Sequence, residues 1–522
     1  MRLLREDIET RRRILWRPLQ PGDDSATGSK KEKIGILSSP CWPIDFYIFV
    51  VLEKKPLMAL IKSISGIRGT IGGKAGDNLT PVDIVKFAAA YGVWLKKDQS
   101  SAKVVIGRDA RISGDMVSSL VAATLQSVGI DVIDLGLSTT PTVEIAVPLE
   151  KAGGGIILTA SHNPGQWNAL KLLNEKGEFI SDRDGQEILV LAESSEIEFA
   201  QVNKLGKYER KDGYLQKHIE MVLALPMVDV QAVRARGFRV VVDAVNSTGG
   251  IAVPMLLKSM GVMVKEVHCE PTGHFAHNPE PLPENLTDIC REIQKGKFDL
   301  GIVVDPDVDR LALICEDGTP FGEEYTLVAV ADYVLSTKPG NTVSNLSSTR
   351  ALRDVTEKAG GEYFASAVGE VNVVNLMKEK NAVIGGEGNG GVILPDLHYG
   401  RDALVGIALF LTHLAKSNLT TQRLRSRYPS YSISKNKIEL TREINVDKVL
   451  DAVKKKYKQQ PINTIDGVRI EFGTEWVHLR KSNTEPIIRI YAESDMEVKA
   501  DNLAKKIITD IKEIIAEKAL AG

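Results

Sequence analysis

Asp305, Asp307 and Asp309 stand at alternate positions in Leu300-Gly-Ile-Val-Val-Asp-Pro-Asp-Val-Asp-Arg310, where an apolar strand runs straight into acid. Three carboxylates this close repel one another strongly unless a divalent cation neutralises them, and a set of hard oxygen ligands points to Mg²⁺. Two other readings stay open. Glu316 falls at the twelfth position from Asp305, as in a calcium-binding EF-hand, although Arg310 occupies the sixth, where that loop needs glycine, and the flanks read as strand. A solvated acidic loop is the other.

A hydroxyl is presented in Gly153-Gly-Gly-Ile-Ile-Leu-Thr-Ala-Ser-His-Asn-Pro164. Ile156 to Leu158 suit a strand buried on both faces, and Asn163-Pro164 stops it, so Ser161 falls just past the strand's carboxyl end. Open α/β sheets bind ligands there, and Ser161 reads as a phosphate carrier; a turn that merely caps the next element is the alternative. In Ala382-Val-Ile-Gly-Gly-Glu-Gly-Asn-Gly-Gly-Val392, Glu387 and Asn389 alternate with glycines. A carboxylate and an amide so spaced suit a pair of sugar hydroxyls, though a plain glycine-rich turn looks the same. In Leu479-Arg-Lys-Ser-Asn-Thr-Glu-Pro-Ile-Ile-Arg489, Arg480 can fork onto phosphate oxygens while Ser482, Asn483 and Thr484 add neutral donors. That too has an ordinary turn as its alternative. Arg68 is the fixed cation of a glycine-containing turn within Met58 to Gly73, which reads as a strand and an anion-facing loop.

The elements that must hold these stretches follow a βαβ rhythm. A helix is predicted from Pro81 to Lys97, a strand from Lys103 to Ile106, a helix from Gly114 to Val128 and a strand from Asp131 to Leu135. The rhythm restarts with a helix from Tyr214 to Leu225, a strand from Arg239 to Asp243, a helix from Ile251 to Met260 and a strand from Leu300 to Val304; a third round runs from Thr342 to Leu414. From Ser434 onward a strand, a helix near Val446 to Tyr457, three strands and a helix from Met496 to Glu517 form a smaller α+β unit. The expected parse is an extension over 1–57, α/β units over 58–213, 214–320 and 321–432, and the α+β unit over 433–522.

Composition narrows the function classes. The 522 residues allow about three or four domains. With 66 basic and 68 acidic residues the formal charge is −2, so no global field favours nucleic acid or an anionic membrane. Cys41, Cys269, Cys290 and Cys315 lack CxxC spacing, which argues against a disulfide framework or a cysteine zinc site and fits a reducing cytoplasm. The apolar run Phe46 to Leu52 is far short of the roughly 20 residues that span a bilayer, and no apolar segment follows Arg11-Arg-Arg13 as a secretory signal requires.

Four motifs, Thr159-Ala-Ser-His-Asn-Pro164, Asp305-Pro-Asp-Val-Asp-Arg310, Gly386-Glu-Gly-Asn-Gly390 and Arg480-Lys-Ser-Asn-Thr-Glu-Pro486, stand in the order found in the α-D-phosphohexomutase superfamily, and residues 58–522 resemble it. The resemblance implies three similar α/β domains and a smaller C-terminal α+β domain around a central cleft. It implies that Ser161 carries phosphate and, with Asp305, Asp307 and Asp309, holds Mg²⁺. Glu387 and Asn389 would read the sugar, and Arg480, Ser482, Asn483 and Thr484 would hold the phosphate that is not reacting. Arg68, Lys171 and Arg310 match positions around the reacting phosphoryl group, Lys171 as proton shuttle. The implied activity moves phosphate between the 1 and 6 positions of a hexose phosphate, through phosphoserine and a hexose 1,6-bisphosphate, in a monomer or dimer. A noncatalytic sugar-phosphate binder is the alternative from another class, disfavoured because Ser161 and all three aspartates are present.

Departures from the pattern touch the sugar. Asn389 and Gly391 stand where many relatives have Ser and His, and Ala367 stands where many have lysine. The sugar loop is similar to that of phosphoglucosamine mutases, whereas Ser482-Asn-Thr-Glu-Pro486 looks more like the phosphomannomutase and phosphoglucomutase branches. Glucosamine phosphate is the expected substrate, with Glu387 the group expected to favour its ammonium. Residues 1–57 fall outside the resemblance, and Met58 is the expected start of translation.

Overall fold

The computed structural model describes residues 60–63, 66–98, 102–194, 197–441, 444–482 and 487–520. The extension 1–57 and the predicted phosphate ligands Asn483 and Thr484 lie outside them.

Four sheets follow one another along the chain. The first holds β1 (Ile61–Ser63), β2 (Gly66–Thr70), β3 (Lys103–Arg108), β4 (Asp131–Leu137), β5 (Gly154–Leu158), β6 (Trp167–Leu173) and β7 (Tyr208–Arg210) in the order β1-β2-β6-β5-β3-β4-β7. The pairs along β5-β3-β4-β7 are parallel and those along β1-β2-β6-β5 antiparallel. Period-two alternation sends Ile156 and Leu158 into an apolar cluster on one face and Ile157 into another on the opposite face. The helices Pro81–Asp98 and Gly114–Ser127 cover the first face, and Thr140–Leu149 the second. That is why β5 reads as an unbroken apolar run.

The second sheet, β8 (Arg239–Asp243), β9 (Met263–Val267), β10 (Leu300–Val304) and β11 (Leu311–Cys315), has the order β11-β10-β8-β9. The third, β12 (Asn341–Asn345), β13 (Tyr363–Ser366), β14 (Ala382–Glu387) and β15 (Gly391–Ile393), has the order β13-β12-β14-β15. Each has parallel strands and one antiparallel edge. The fourth, β16 (Ser432–Glu439), β17 (Ile462–Asn463), β18 (Val468–Phe472), β19 (Glu475–Lys481) and β20 (Ile487–Ser494), is antiparallel throughout. Val240 and Leu313 of the second sheet, Ile384 and Val392 of the third, and the helices Glu323–Thr337 and Ala403–Ser417 share one apolar cluster. The fourth sheet has a cluster of its own. No described helix is long and apolar enough to cross a membrane.

Three sequence motifs fall in the turn between two antiparallel neighbours, 159–166 between β5 and β6, 305–310 between β10 and β11, and 388–390 between β14 and β15, and the fourth begins at Arg480 on β19, which pairs antiparallel with β20.

Sequence reasoning left the helices Thr140–Leu149 and Asp182–Glu193 unnamed. The first is rich in β-branched residues and contains Pro141 and Pro148, which reads as strand. It is helical because the Thr139 side chain accepts from Thr142 N and a proline in the first turn needs no donor. The second opens on a capping box between Ser181 and Asp184.

β5 is packed so closely that its glycines cannot grow. A Cβ on Gly154 would run into the Tyr91 hydroxyl and stand 2.5 Å from the Leu173 carbonyl oxygen, and Tyr91 Oη donates to that same carbonyl at 2.7 Å. Gly154→Ala is expected to destabilise the protein by about 1–3 kcal/mol, the usual range for overpacking. Chemical denaturation monitored by circular dichroism checks it, an unchanged midpoint being the contrary result.

Candidate active site

The loop carrying Ser161 is fixed from beneath by one arginine. Arg111, 1% exposed, donates from Nη2 to Ser161 O (2.5 Å) and Asn163 O (2.7 Å), and from Nη1 to Pro164 O (2.7 Å) and Trp167 O (2.9 Å). Its Nε donates to Asp109 Oδ2 (2.9 Å), which also accepts from Thr159 Oγ1 (2.7 Å); Thr159 Oγ1 in turn accepts from Ser161 N (2.9 Å). Held this way, Ser161 adopts φ 49°, a left-handed conformation rare for a non-glycine residue. The strain is of the order of 1–3 kcal/mol.

Ser161 Oγ then donates to Asp305 Oδ2 at 2.8 Å. Asp305, Asp307 and Asp309 are fully buried and offer oxygens within 4.8 Å of one another. Val308 in their turn has φ 64°, which a β-branched residue adopts only under constraint. Burial first, then repulsion from Asp309 and Asp307, pushes the Asp305 carboxyl well above its ordinary range. Burial pushes Asp309 the same way, but Arg401, Lys171 and Arg310 outweigh it and hold that carboxyl low. Asp307 Oδ1 and Asp309 Oδ1 are buried and accept no hydrogen bond. Orphaned carboxylate oxygens beside a serine hydroxyl are the donor set a hard divalent cation takes. The turn is not an EF-hand loop: strands flank it, and Glu316 Oε2 accepts from Gln422 N.

Lys171 on β6 reaches the same turn, its Nζ 2.7 Å from Asp307 Oδ2 and 3.4 Å from Asp309 Oδ2. Burial lowers its pKa, and the two aspartates more than reverse this, so the ammonium is kept charged. Arg68 Nη1 donates to Asn163 Oδ1 (2.9 Å), and Arg310 Nη1 to Glu280 Oε1 (3.4 Å). His162 lies beside Ser161, its Nδ1 3.4 Å from Oγ; burial, Arg310 and Arg68 hold the imidazole neutral.

A cleft of about 700 Å³ brings Arg68, Ser161, Lys171 and Arg310 together with Glu387, Asn389 and Arg480. Arg480 Nε is paired with Asp466 Oδ2 at 2.7 Å, and Ser482 N donates to Ile487 O at 3.1 Å. Glu387 is at the end of β14, and both of its oxygens are occupied. Oε1 accepts from Asn345 Nδ2 (2.8 Å) and Gly369 N (3.1 Å), and Oε2 from Arg401 Nη1 (2.8 Å).

Arg401 escaped sequence reasoning, as did Arg111. Arg401 is 8% exposed and also donates to Asp309 Oδ2 (2.7 Å) and Glu370 Oε2 (3.1 Å). The one signal for both was an Arg-Asp or Asp-x-Arg cluster beside glycine, in Gly107-Arg-Asp-Ala-Arg111 and Gly400-Arg-Asp402. Lys435, Arg489, Tyr491, Glu280 and Glu324 line the cleft from outside the four motifs.

Comparison with known proteins places this arrangement. Models of the phosphoglucomutase/phosphomannomutase family match the chain in sequence: alpha/beta/alpha domain I over residues 60–198, domain II over 216–318, domain III over 322–431, and the C-terminal domain over 437–509. The chain belongs to the phosphoglucomutase/phosphomannomutase family. It is a phosphohexomutase, an isomerase that transfers phosphate intramolecularly, with the three α/β domains and C-terminal domain of that fold. A phosphoglucomutase/phosphomannomutase of Thermococcus kodakarensis is 37% identical over 440 residues, 83% of this chain and 95% of that one. A phosphoglucosamine/phosphogalactosamine mutase of Sulfurisphaera tokodaii is 29% identical, covering 88% of this chain and 100% of that protein. The crystal structure of a phosphoglucomutase/phosphomannomutase family protein from Burkholderia thailandensis superposes with a TM-score of 0.76 at 26% identity, over 87% of this chain and 98% of that one.

Within this phosphohexomutase cleft Glu324 carries a pH signature. Burial pushes its carboxyl from an ordinary 4.5 up to about 8. Between those values the unfolded chain releases a proton that the folded chain keeps, so this group's contribution to stability is complete below pH 4.5 and is lost as pH rises through about 8. Thermal unfolding of the ligand-free enzyme across that window is expected to show a shallower decline in Glu324→Gln than in the wild type; parallel declines are the contrary result.

Proposed function

We propose that Ser161 is the phosphate carrier of this mutase and that Asp305, Asp307 and Asp309 hold Mg²⁺ beside it. The observation that carries the reading is the 2.8 Å contact of Ser161 Oγ with a fully buried aspartate triad that retains orphaned oxygens. Bound there, Mg²⁺ supplies charge neutralisation for the phosphoryl oxygens. Arg68, Lys171 and Arg310 add fixed positive charge on the same wall. When phosphoserine transfers its group, the Oγ–P bond breaks as a bond from the sugar oxygen to phosphorus forms. The sugar hydroxyl gives up its proton and Oγ regains one, Lys171 being the buried group that holds a proton for this exchange. The resulting hexose 1,6-bisphosphate turns in the cleft, and Ser161 takes the other phosphate. Arg480, with Ser482, Asn483 and Thr484 next to it in sequence, holds the phosphate that is not reacting. Asn389 contributes hydroxyl recognition from the opposite turn. Ser161→Ala is expected to abolish turnover and the labelling of the enzyme by radiolabelled glucose 1,6-bisphosphate; wild-type labelling of the variant removes Ser161 from the mechanism.

Glucosamine phosphate is the sugar this reading favours. Recognition at carbon 2 turns on whether a carboxylate can meet an ammonium. Glu387 is engaged by Arg401, Asn345 and Gly369, so the role passes to Glu324, which borders Gly388 and among the described residues commits Oε2 alone, to Thr349 N at 2.9 Å, and whose proton, held up to about pH 8 in the ligand-free enzyme, an arriving ammonium displaces. The relatives' names divide between glucose or mannose and glucosamine or galactosamine substrates. We therefore expect kcat/KM to be highest on glucosamine 1-phosphate among the 1-phosphates of glucosamine, glucose and mannose. Glu324→Gln should lower that value by about 10-fold or more relative to glucose 1-phosphate, the scale of one charged hydrogen bond. A wild-type glucosamine value below either of the others promotes the phosphomannomutase/phosphoglucomutase reading.

A further inference from the structure

A second cluster of ligating side chains lies apart from the aspartate triad, where three segments distant in sequence meet. His218, on the helix Tyr214–Leu223, is fully buried and places Nε2 2.8 Å from Asp402 Oδ2. His398 places its own Nε2 3.4 Å from the same oxygen. The three residues offer ligand atoms that all lie within 4.8 Å of one another. Asp402 is anchored independently, because its Oδ1 accepts from Leu404 N (2.8 Å) and Val405 N (3.4 Å) at the start of the helix Ala403–Ser417.

The far nitrogens of both rings have orienting partners on the helix Thr140–Leu149. His218 Nδ1 is 2.9 Å from Thr142 Oγ1, and His398 Nδ1 is 3.3 Å from Glu144 Oε2. Glu144 is 2% exposed, yet neither of its oxygens has an aligned hydrogen bond. Hydrogen bonds alone fit this arrangement poorly. If both neutral imidazoles donate Nε2–H to Asp402, then His398 turns an unprotonated Nδ1 toward Glu144, where only a protonated carboxyl could answer it, and neither Glu144 oxygen is aligned with the ring. A cation bound by the two Nε2 atoms removes the conflict: Nδ1 of each ring then carries the proton, His218 donating to Thr142 and His398 to Glu144. This is the carboxylate–histidine–metal pattern.

We propose that His218, His398 and Asp402 bind Zn²⁺, with Glu144 and Thr142 orienting the rings, and that the ion clasps the helix Thr140–Leu149 of the phosphoserine domain to the turn that delivers Arg401 to the cleft. Two imidazoles and a carboxylate select zinc over magnesium, which prefers oxygen ligands alone. The His398 side chain is 12% exposed and provides the way in.

The test uses the full chain, stripped with a chelator, re-equilibrated with Zn²⁺ in excess Mg²⁺ so that the oxygen site competes for the wrong ion, and gel-filtered before metal analysis. One zinc per chain is expected, with a higher thermal midpoint than the stripped protein. His398→Gln should lose that zinc and the shift while keeping the wild-type circular dichroism, and Asp307→Asn should retain both. His218→Ala, which removes a buried ring, is read only through its metal content if it folds; His398→Gln decides otherwise. A folded wild type that retains no zinc, or zinc that survives His398→Gln but not Asp307→Asn, overturns the site.

Discussion

The Ser161 turn depends on a guanidinium that does not line the cleft. The eight-residue turn 159–166, which presents a left-handed serine, has carbonyl oxygens with no partner inside the turn, and burying them unpaired would be costly. Arg111 supplies donors to the carbonyls of Ser161 and Asn163 and, at the exit of the turn, to those of Pro164 and Trp167, and Asp109 fixes the arginine while also holding Thr159. The planar fork matters here: lysine could offer charge but not parallel donors aimed at separate carbonyls. The strained serine, the position of its hydroxyl and the aspartate it meets all follow from that clamp.

A second buried arginine organises the opposite wall. Burial alone would lower the pKa of Arg401, but Asp309, Glu370 and Glu387 raise it well above its ordinary value. It ties the aspartate turn to the sugar turn through one planar cation, 2.7 Å from Asp309 Oδ2 and 2.8 Å from Glu387 Oε2. Charge at one of these loops is therefore felt at the other over the width of a guanidinium, in an environment that screens poorly.

The architecture was legible where periodicity and punctuation agreed. The strands Arg239–Asp243 and Leu300–Val304 could be read to the residue because their apolar runs are short and bounded. Thr140–Leu149 was not legible because its residue types favour a strand and only the cap and tertiary burial decide for a helix. In the candidate site, the meeting of Ser161 with the aspartates was legible as far as residue type and spacing go, since each stretch runs from an apolar strand into a polar turn. Arg111, Arg401 and Glu324 were not, because an isolated charged residue gains its meaning only from neighbours 14 to 92 positions away, as Arg401 does from Glu387 and Asp309. Glu387 was visible, but its occupation by Arg401 was hidden for the same reason.

The second and third sheets share one continuous apolar cluster, whereas the first and fourth each have clusters of their own. Sliding the two central sheets past each other would expose close-packed apolar surface, while a rigid rotation of an outer sheet leaves its own interior intact. The cleft is thus mechanically unequal. Its floor, carrying the aspartates and Glu387, behaves as an anvil whose two faces keep a constant separation. The first sheet is tied to that floor where Thr140 Oγ1 and Lys171 Nζ meet Asp307, so the strand carrying Arg480 is the movable jaw, and a substrate gains room by its parting while the gap between the aspartate turn and the Glu387 turn stays a fixed gauge.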